Sequence, residues 1–200
     1  NSLGSRALAM GGAFVGLADD FSAIYWNPAG IARFERKYFG FYGTDLIPSG
    51  TYKNPLVNAE TATKHYLSGL AAYYLPVSEN VVVGLAAYIP SGLGSNWDGE
   101  DFAPMSMNTT YQWMSKIGLI TFAPALAVKV NDKVFIGAAL NLNYGTFNIK
   151  THAGSAPNRS PPPDEIEIDL GQYEESMNGW GYGATIGVLF KPVEMFSIGA

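Results

Sequence analysis

Two stretches alternate between large apolar side chains and small or amide side chains, and this pattern restricts the possible folds more than any other feature. Within residues 180–190, the even-numbered side chains are apolar and mostly large, while the odd-numbered residues are mainly glycine. Residues 134–145 alternate in a similar way. Successive side chains of a β-strand point to opposite faces. An apolar face opposite a face of small or polar residues is typical of a strand that lies between lipid and a barrel lumen. We therefore predict an all-β fold, a transmembrane antiparallel β-barrel.

Seven segments are rich in Tyr, Phe, Val, Gly and Ala, are separated by turn residues, and are predicted as strands. They are Tyr38–Tyr42, Leu67–Leu75, Val81–Ile89, Lys116–Val130, Val134–Lys150, Trp180–Phe190 and Met195–Ala200. Their connections alternate between short turns and long loops. The short turns are 77–80, 131–133 and 191–194, and the long loops are about 43–64, 90–115 and 151–178. Short periplasmic turns opposite long external loops are typical of bacterial outer-membrane barrels.

The composition agrees with this interpretation and excludes several other classes of protein. Charged residues make up 14% of the chain, against about 25% in soluble domains, and no window holds the 18 or so consecutive apolar residues of a membrane-spanning helix. The net charge of −5 argues against nucleic acid as a partner, because phosphate binding needs a basic surface. Cysteine is absent, which excludes thiolate metal sites and cysteine nucleophiles.

Residues 1–36 do not have the pattern of a strand and are predicted to form a plug inside the barrel, whose first half is residues 37–200. The segment is rich in Gly and Ala, and a turn is expected at Asn27-Pro28-Ala29-Gly30 because Asn27 precedes a proline. Asn27 is either a hinge or a rigid turn. The acidic pair Asp19 and Asp20 either couples plug movement to a basic partner in the wall or caps and solvates a turn.

Six or seven strands cannot enclose such a plug, because even eight strands leave an interior filled by side chains. We therefore expect these 200 residues to be the N-terminal half of a longer protein.

No enzyme motif was found. The sequence has no Gly-x-Ser-x-Gly, no His-Glu-x-x-His and no phosphate-binding glycine loop before a helix. His65 and His152 are isolated and do not predict a metal site. We expect a protein that is not an enzyme and needs no cofactor or metal.

Four short motifs in the first 30 residues resemble the N-terminal hatch of the FadL-type outer-membrane transporters, which carry long-chain fatty acids and, in relatives, aromatic hydrocarbons. The motifs are Gly4-Ser5-Arg6-Ala7, Gly11-Gly12-Ala13, Ala18-Asp19-Asp20 and Asn27-Pro28-Ala29-Gly30. Further along, the range 90–97 lies where the third strand of the family is interrupted, and the range 178–183 resembles the start of its sixth strand.

This resemblance implies a 14-stranded barrel in a Gram-negative outer membrane, closed by the hatch and surrounded by membrane lipids. It implies that external loops catch a hydrophobic ligand, which enters an apolar pocket and leaves sideways at the third strand. By position, Pro90, Ser91 and Gly92 belong to that opening, where Pro cannot donate to the ladder and Gly weakens it. We expect a monomer.

One long loop is unusually apolar, with Trp97, Phe102, Met105, Met107 and Trp113 as candidates for ligand capture. The alternative is that these residues pack the loop over the barrel mouth or form an aromatic girdle.

Fatty-acid members of the family place a basic residue near the end of the fifth strand. Thr151 occupies the best-aligned position here, while Lys150 falls on the lipid-facing parity, so Lys150 and Thr151 are only possible carboxylate contacts. An uncharged ligand therefore stays open beside a fatty acid.

The leading hypothesis is passive, cofactor-free uptake of fatty acids or aromatic and aliphatic hydrocarbons, with lateral release at the third strand. The alternative is a plugged-barrel scaffold that does not transport and binds a protein partner through its loops. A general porin is a weaker third hypothesis, because the inward faces are Gly, Ala and aromatic rather than polar.

Overall fold

Seven strands form one antiparallel sheet in which each strand pairs with its neighbours in chain order. The structure, a computed structural model, describes residues 3–158 and 166–200. In the order of the sheet, the strands are β1 (Tyr38–Leu46), β4 (Tyr66–Pro76), β5 (Val81–Trp97), β6 (Trp113–Lys129), β7 (Val134–His152), β10 (Gln172–Val193) and β11 (Phe196–Gly199). The sheet is curled like half a barrel, so the all-β prediction is confirmed.

Two small hairpins lie in the long connections at one end of the sheet, which we call the loop end. Strands β2 (Thr51–Lys53) and β3 (Asn58–Glu60) pair between β1 and β4. Strands β8 (Ser155–Asn158) and β9 (Ile166–Asp169) pair between β7 and β10. A 3₁₀ helix, Ala103–Met105, lies between β5 and β6. The short turns are at the opposite, turn end.

The first part of the chain forms short helices instead of strands. They are α1 (Ser5–Ala9), α2 (Ala23–Trp26) and a 3₁₀ helix over Pro28–Arg33. Among the described residues, no helix is both long enough and apolar enough to cross a bilayer.

This N-terminal segment packs on one face of the sheet, which we call the inward face. Its buried residues and those of the sheet form one apolar cluster. Sheet residues in that cluster include Leu70, Ala72, Tyr74, Val82, Ala86, Tyr88, Ala123, Ala127, Phe135, Ala139 and Leu189. Most are separated by two along their strand, so the segment covers one parity. Small side chains such as Ala let its backbone come close to the wall.

The opposite, outward face carries large apolar residues that are exposed. Leu140, Trp180, Tyr182 and Ile186 are all exposed, as the alternation in 134–145 and 180–190 predicts. A sheet with one face on a core and an apolar face left open fits a wall that faces lipid.

All seven predicted strands are present, and five of them extend into the predicted loops: β1, β5, β6, β7 and β10, of which β5 and β10 extend furthest. β5 runs past Ile89 to Trp97 because a bulge absorbs the irregularity at Pro90 instead of ending the strand. β10 begins at Gln172 rather than Trp180, since it pairs with β7 residue by residue from His152 onward.

Candidate functional site

A β-bulge interrupts the regular register of β5 at the position that the sequence indicated. Tyr88 pairs with Thr121 and Ser91 with Leu119, so Ile89 and Pro90 together oppose one residue of β6. Proline has no N–H to donate to a ladder, and a bulge is one of the few places in a sheet that accept it. The extra residue inverts the alternation. Tyr88 and Ser91 therefore both lie on the inward parity, and Gly92 lies on the outward one.

The ladder between β4 and β5 ends at the same place. Its last pair on the loop side is Leu70 with Tyr88, although β4 stays paired with β1 as far as Tyr66. Beyond this point, Ser68 Oγ donates to the carbonyl oxygen of Ile89 at 2.7 Å. The wall therefore has a seam between residues 66–69 of β4 and residues 91–97 of β5.

An apolar cavity of about 440 Å³ lies on the inward face beside this seam, and we call it the inner cavity. Its large side chains of inward parity are Ile117, Leu119, Phe147 and Met177, and Asn143 contributes an inward amide. Three of its other lining residues are Gly145, Gly179 and Gly181, which leave the space unfilled.

A second cavity of about 440 Å³, the upper cavity, lies nearer the loop end. It is lined by residues of the loop after β1 and by Leu93, Ser95 and Trp97 of β5. Ile117 and Phe147 line both this cavity and the inner cavity. The two cavities therefore adjoin along the inward face.

A third cavity of about 410 Å³, the outer groove, lies at the seam on the outward face. Leu67, Ile89, Ile120 and Tyr144 are among its lining residues. The outer groove touches Gly92, while the inner cavity touches the preceding residue, Ser91. At this point the two cavities lie on opposite sides of a single strand.

A hydrogen-bonded layer of polar side chains lies below the inner cavity. Tyr88 Oη donates to Asn141 Oδ1 at 3.0 Å, and Asn141 Nδ2 donates to Thr185 Oγ1 at 2.9 Å. Thr121 Oγ1 donates to Asn143 Oδ1 at 2.7 Å. This layer separates the apolar cavities from the cluster that holds the N-terminal segment.

Asn27 joins the N-terminal segment to the wall and is only 1% exposed. Its Nδ2 donates to the carbonyl oxygens of Val15 at 3.0 Å and Val188 at 2.9 Å, and its Oδ1 accepts from the backbone N–H of Ala29 at 3.0 Å. These contacts connect the turn to the N-terminal segment and to β10.

The wall beneath this turn is glycine on two paired strands. A Cβ at Gly187 would lie 2.0 Å from Asn27 Oδ1, and a Cβ at Gly137 would lie 2.3 Å from the carbonyl carbon of Pro28. Gly30 meets a similar restriction, since its Cβ would lie 2.0 Å from the Ala18 carbonyl oxygen. The predicted turn Asn27-Pro28-Ala29-Gly30 is thus buried at the wall, with Ala29 in the apolar cluster.

The acidic pair finds its partners inside the N-terminal segment. Asp19 Oδ1 forms an ion pair with Arg6 Nη1 at 2.7 Å. Asp20 Oδ1 accepts from the backbone N–H of Ser22 at 2.8 Å and from Ser22 Oγ at 2.6 Å. Within residues 3–158 and 166–200, neither carboxylate is ion-paired to a basic residue of the sheet.

The five loop residues proposed for ligand capture separate into two groups. Phe102 is 6% exposed, stacks on Trp113 with ring centroids 4.6 Å apart, and meets Trp97 edge-on at 5.9 Å. Met105 and Met107 are 42% and 44% exposed. The three aromatic residues pack against one another at the loop end, where Trp97 also lines the upper cavity, and the two methionines are exposed.

Lys150 lies on the outward parity, as the alternation predicts. Its Nζ is 3.1 Å from Glu174 Oε1 and donates to Gln112 Oε1 at 2.9 Å. Thr151, one residue on, has the inward parity and pairs with Tyr173. None of the described residues that line the inner and upper cavities is Lys, Arg or His.

Apart from Ser91, sequence analysis did not identify the residues that line the inner cavity. Ile117, Leu119, Phe147 and Met177 are large and apolar, so in the sequence they look like residues that face lipid. The sequence signal that could have assigned them to the inward face was their spacing along the strand. Each lies at an even distance along its strand from a small or amide inward residue, as Phe147 does from Asn143.

The whole chain, residues 1–200, matches the model of a protein family described as outer membrane protein transport protein (OMPP1/FadL/TodX). No curated protein matches the chain.

Solved structures with a similar fold belong to the same family. A FadL homologue of Pseudomonas aeruginosa is 17% identical with a TM-score of 0.62, over 91% of this chain and 47% of that protein. The toluene transporter TodX of P. putida is 14% identical with a TM-score of 0.67, over 88% of this chain and 49% of TodX. At these identities the likeness shows the fold, which confirms the β-barrel prediction. The chain spans about half the length of these structures.

Proposed function

This chain belongs to the outer membrane transport protein family that includes FadL and TodX, and from that premise we propose that it serves passive uptake of hydrophobic small molecules. The proposal includes lateral release into the membrane at β5, the third strand of the main sheet. Residues 1–36 would act as the hatch and residues 37–200 as the first part of the barrel wall.

One observation carries this proposal. Two adjoining apolar cavities on the inward face lead from the loop end to the seam between β4 and β5. There the inner cavity and the outer groove contact consecutive residues, Ser91 and Gly92. An apolar molecule that reached the inner cavity would be one strand away from the lipid-facing side.

Capture is driven by burial of apolar surface, which stabilises a bound ligand by about 25 cal/mol per Å² removed from water. The exposed side chains of Met105 and Met107 offer first contacts, since Met adapts to different ligand shapes. The upper cavity then receives the ligand behind the packed aromatic residues of the loop.

A sideways route follows from what lies below the inner cavity. Passage toward the turn end would bring an apolar ligand against the side chains of Asn141 and Thr185, whose hydrogen bonds would have to break without replacement. It would also have to displace the buried hatch. The seam at β5 needs neither, because its ladder on the β4 side has already ended at Leu70 and Tyr88.

Tyr88 offers a means by which hatch movement would change the seam. Its ring meets that of Tyr25 of α2 edge-on, with centroids 5.5 Å apart. Tyr88 also makes the last pair before the bulge. A shift of α2 would therefore act directly on the residue beside the opening.

The lining of the cavities favours an uncharged ligand, a hydrocarbon rather than a fatty acid. A carboxylate in the inner cavity would lose its hydration without meeting a cation, because the polar side chains among its described lining residues, those of Ser91, Asn143, Thr146 and Asn178, are all uncharged. Burying an unpaired charge costs several kcal/mol. The nearest family candidate, Lys150, is ion-paired on the outward face.

The experiment that tests this function is binding of a hydrophobic panel to the intact purified protein. The panel contains long-chain fatty acids, alkanes and monoaromatic hydrocarbons, each competed against a fluorescent apolar probe. We expect saturable displacement, strongest for the uncharged compounds. Displacement by none of them would favour the alternative scaffold function, in which the loops bind a protein partner.

A further inference from the structure

One lysine on the outward face of the wall has no ionic partner among the described residues. Lys116 of β6 lies on the outward parity, where it pairs with Gly94 of β5 and Asn148 of β7. No ion pair or hydrogen bond of its side chain is found within the described part of the chain. By contrast, Lys129 pairs with Asp132 at 2.7 Å.

The position of Lys116 along its strand corresponds to the level of lipid headgroups. On the outward face, Tyr144 and Trp180 meet with ring centroids 5.1 Å apart, and such aromatic pairs mark the membrane–water interface of barrels. Tyr144 pairs with Ile120. Lys116 lies four residues nearer the loop end, which is about 13 Å at about 3.3 Å per residue. Its charge is therefore above the hydrocarbon region.

Two cavities on the outward face meet at this lysine. The outer groove of about 410 Å³ runs from Tyr144 and Ile120 to Lys116. A second cavity of about 330 Å³, the polar outer cavity, continues toward the loop end and also contacts Lys116. Its other lining residues are Met114, Asn148, Ile149, Lys150, Glu174, Glu175 and Ser176. The arrangement is an apolar groove, a cation, and then a polar cavity.

The other ionisable side chains around these cavities already have hydrogen-bond or ion-pair partners. Glu174 pairs with Lys150 at 3.1 Å, and Glu175 Oε2 accepts from Tyr173 Oη at 2.5 Å. His65, at the edge of the groove, has its Nδ1 2.5 Å from Asp45 Oδ2. Among the described residues around the two cavities, Lys116 is the cation without a partner, while Glu175 keeps its negative charge but lies on the inward parity.

We propose that the outer groove and the polar outer cavity together bind one lipid of the surrounding leaflet, with an acyl chain in the groove and an anionic phosphate headgroup at Lys116. Surrounding lipid is the occupant because the site lies on the lipid-facing side, its apolar end is level with the aromatic pair, and its cation is at headgroup height. The site does not depend on transport.

The first test is native mass spectrometry of the intact protein with phosphatidylglycerol, which is anionic, and phosphatidylcholine, which has no net charge. A single lysine near a membrane surface strengthens binding of an anionic lipid by about 1 kcal/mol, which is about a fivefold difference in affinity. We expect this preference for phosphatidylglycerol in the wild type and in Lys116→Arg. Lys116→Gln should bind the two lipids about equally. Lys133→Gln, at the turn end, is the matched control and should keep the preference.

A second variant tests the acyl groove. Gly118 lines the groove, and a leucine there would fill it, so Gly118→Leu should reduce retention of both lipids. Gly43→Leu is the control, because a side chain at Gly43 meets no other atom within 4 Å. An unchanged lipid preference in Lys116→Gln, or an equal loss in Lys133→Gln, overturns the proposal. It is also overturned if Lys116→Gln weakens binding of oleate but not of phosphatidylglycerol. The site would then bind the carboxylate of a released fatty acid rather than a membrane lipid.

Discussion

At the residue scale, Asn27 explains why the turn at 27–30 packs on two glycines of the wall, Gly137 and Gly187. A buried amide must satisfy its donors and its acceptor, and Asn27 does so with Val15, Val188 and Ala29. The bond to Val188 is possible only because the turn lies directly on the backbone of β10. Gly187 is the residue that permits this approach.

A methyl group at Gly187 is therefore expected to destabilise the packing of the N-terminal segment against the wall. Gly187→Ala would place a Cβ 2.0 Å from Asn27 Oδ1 and 2.9 Å from Pro28 Cδ. Overpacking of this kind costs about 1–3 kcal/mol, which thermal unfolding of the detergent-solubilised protein would measure. Gly183→Ala is the matched control on the same strand and face, since its Cβ would be 3.8 Å from the nearest atom, Asn141 Cβ. Equal unfolding temperatures for the two variants would contradict this account of the turn.

The alternation of side chains along the strands predicted the outward-facing residues but not the residues that line the inner cavity. The outward faces of β7 and β10 could be read from the sequence because their inward neighbours are small. Phe147 and Met177 could not be assigned to the inner cavity, because a large apolar residue satisfies lipid and an apolar lumen equally well. Their inward parity has meaning only once the register of β7 and β10 is known.

At the scale of elements, β5 is the strand whose behaviour the sequence predicted only in part. Pro90 indicated an irregularity, and the structure has one there. The continuation to Trp97 was missed because the bulge inverts the alternation between Tyr88 and Ser91. A period-two pattern that changes phase looks like a loop. The start of β10 at Gln172 was missed because its polar residues keep pairing with β7 above the apolar region.

Two loop-end elements are joined by a cluster around Asp169. Tyr111, in the connection before β6, donates its Oη to Asp169 Oδ2 at 2.7 Å, and its ring stacks on His152 with centroids 5.0 Å apart. His152 Nε2 is 2.9 Å from Asp169 Oδ1, and the backbone N–H of Gly171 donates to the same oxygen at 2.8 Å. The hydrogen bond from Tyr111, followed by that from Gly171, holds the pKa of Asp169 below its usual range.

The lowered pKa gives this contact a defined pH dependence. A carboxyl group with a depressed pKa in the folded state contributes stability above its unfolded pKa, near 4, and that contribution is lost as pH falls through the folded pKa. We expect Asp169→Asn to speed hydrogen exchange in residues 109–112 relative to wild type at neutral pH. The ratio should begin to fall as the pH drops below about 4 and should approach one only below the depressed folded-state pKa of Asp169.

Asp132→Asn is the control for this effect. Its carboxyl is ion-paired with Lys129 at the turn end, which also lowers its pKa, so exchange in residues 109–112 should not change. A ratio for Asp169→Asn that is the same at every pH would show that the cluster is not held by the charge of Asp169.

At the scale of the whole molecule, the inward face has three layers from the turn end to the loop end. The N-terminal segment and small wall residues form a packed cluster, a polar layer from Tyr88 to Thr185 lies above it, and two apolar cavities follow. The seam in the wall lies at the level of the inner cavity rather than at the N-terminal segment. This order favours lateral release, because the opening adjoins the cavity and avoids the packed layer.

The measurement that tests lateral release most directly is uptake and binding of one hydrophobic ligand by Gly92→Phe. A Cβ at Gly92 would already lie 3.3 Å from Ile89 Cγ2 and 3.5 Å from the Leu67 carbonyl oxygen, so a phenylalanine would occupy the outward side of the seam. Gly43→Phe adds the same side chain to the outward face of β1, in open space. We expect Gly92→Phe to lose uptake by about tenfold or more while its ligand affinity stays at the wild-type value, and Gly43→Phe to change neither. Wild-type uptake in a folded, ligand-binding Gly92→Phe variant would contradict release through this seam.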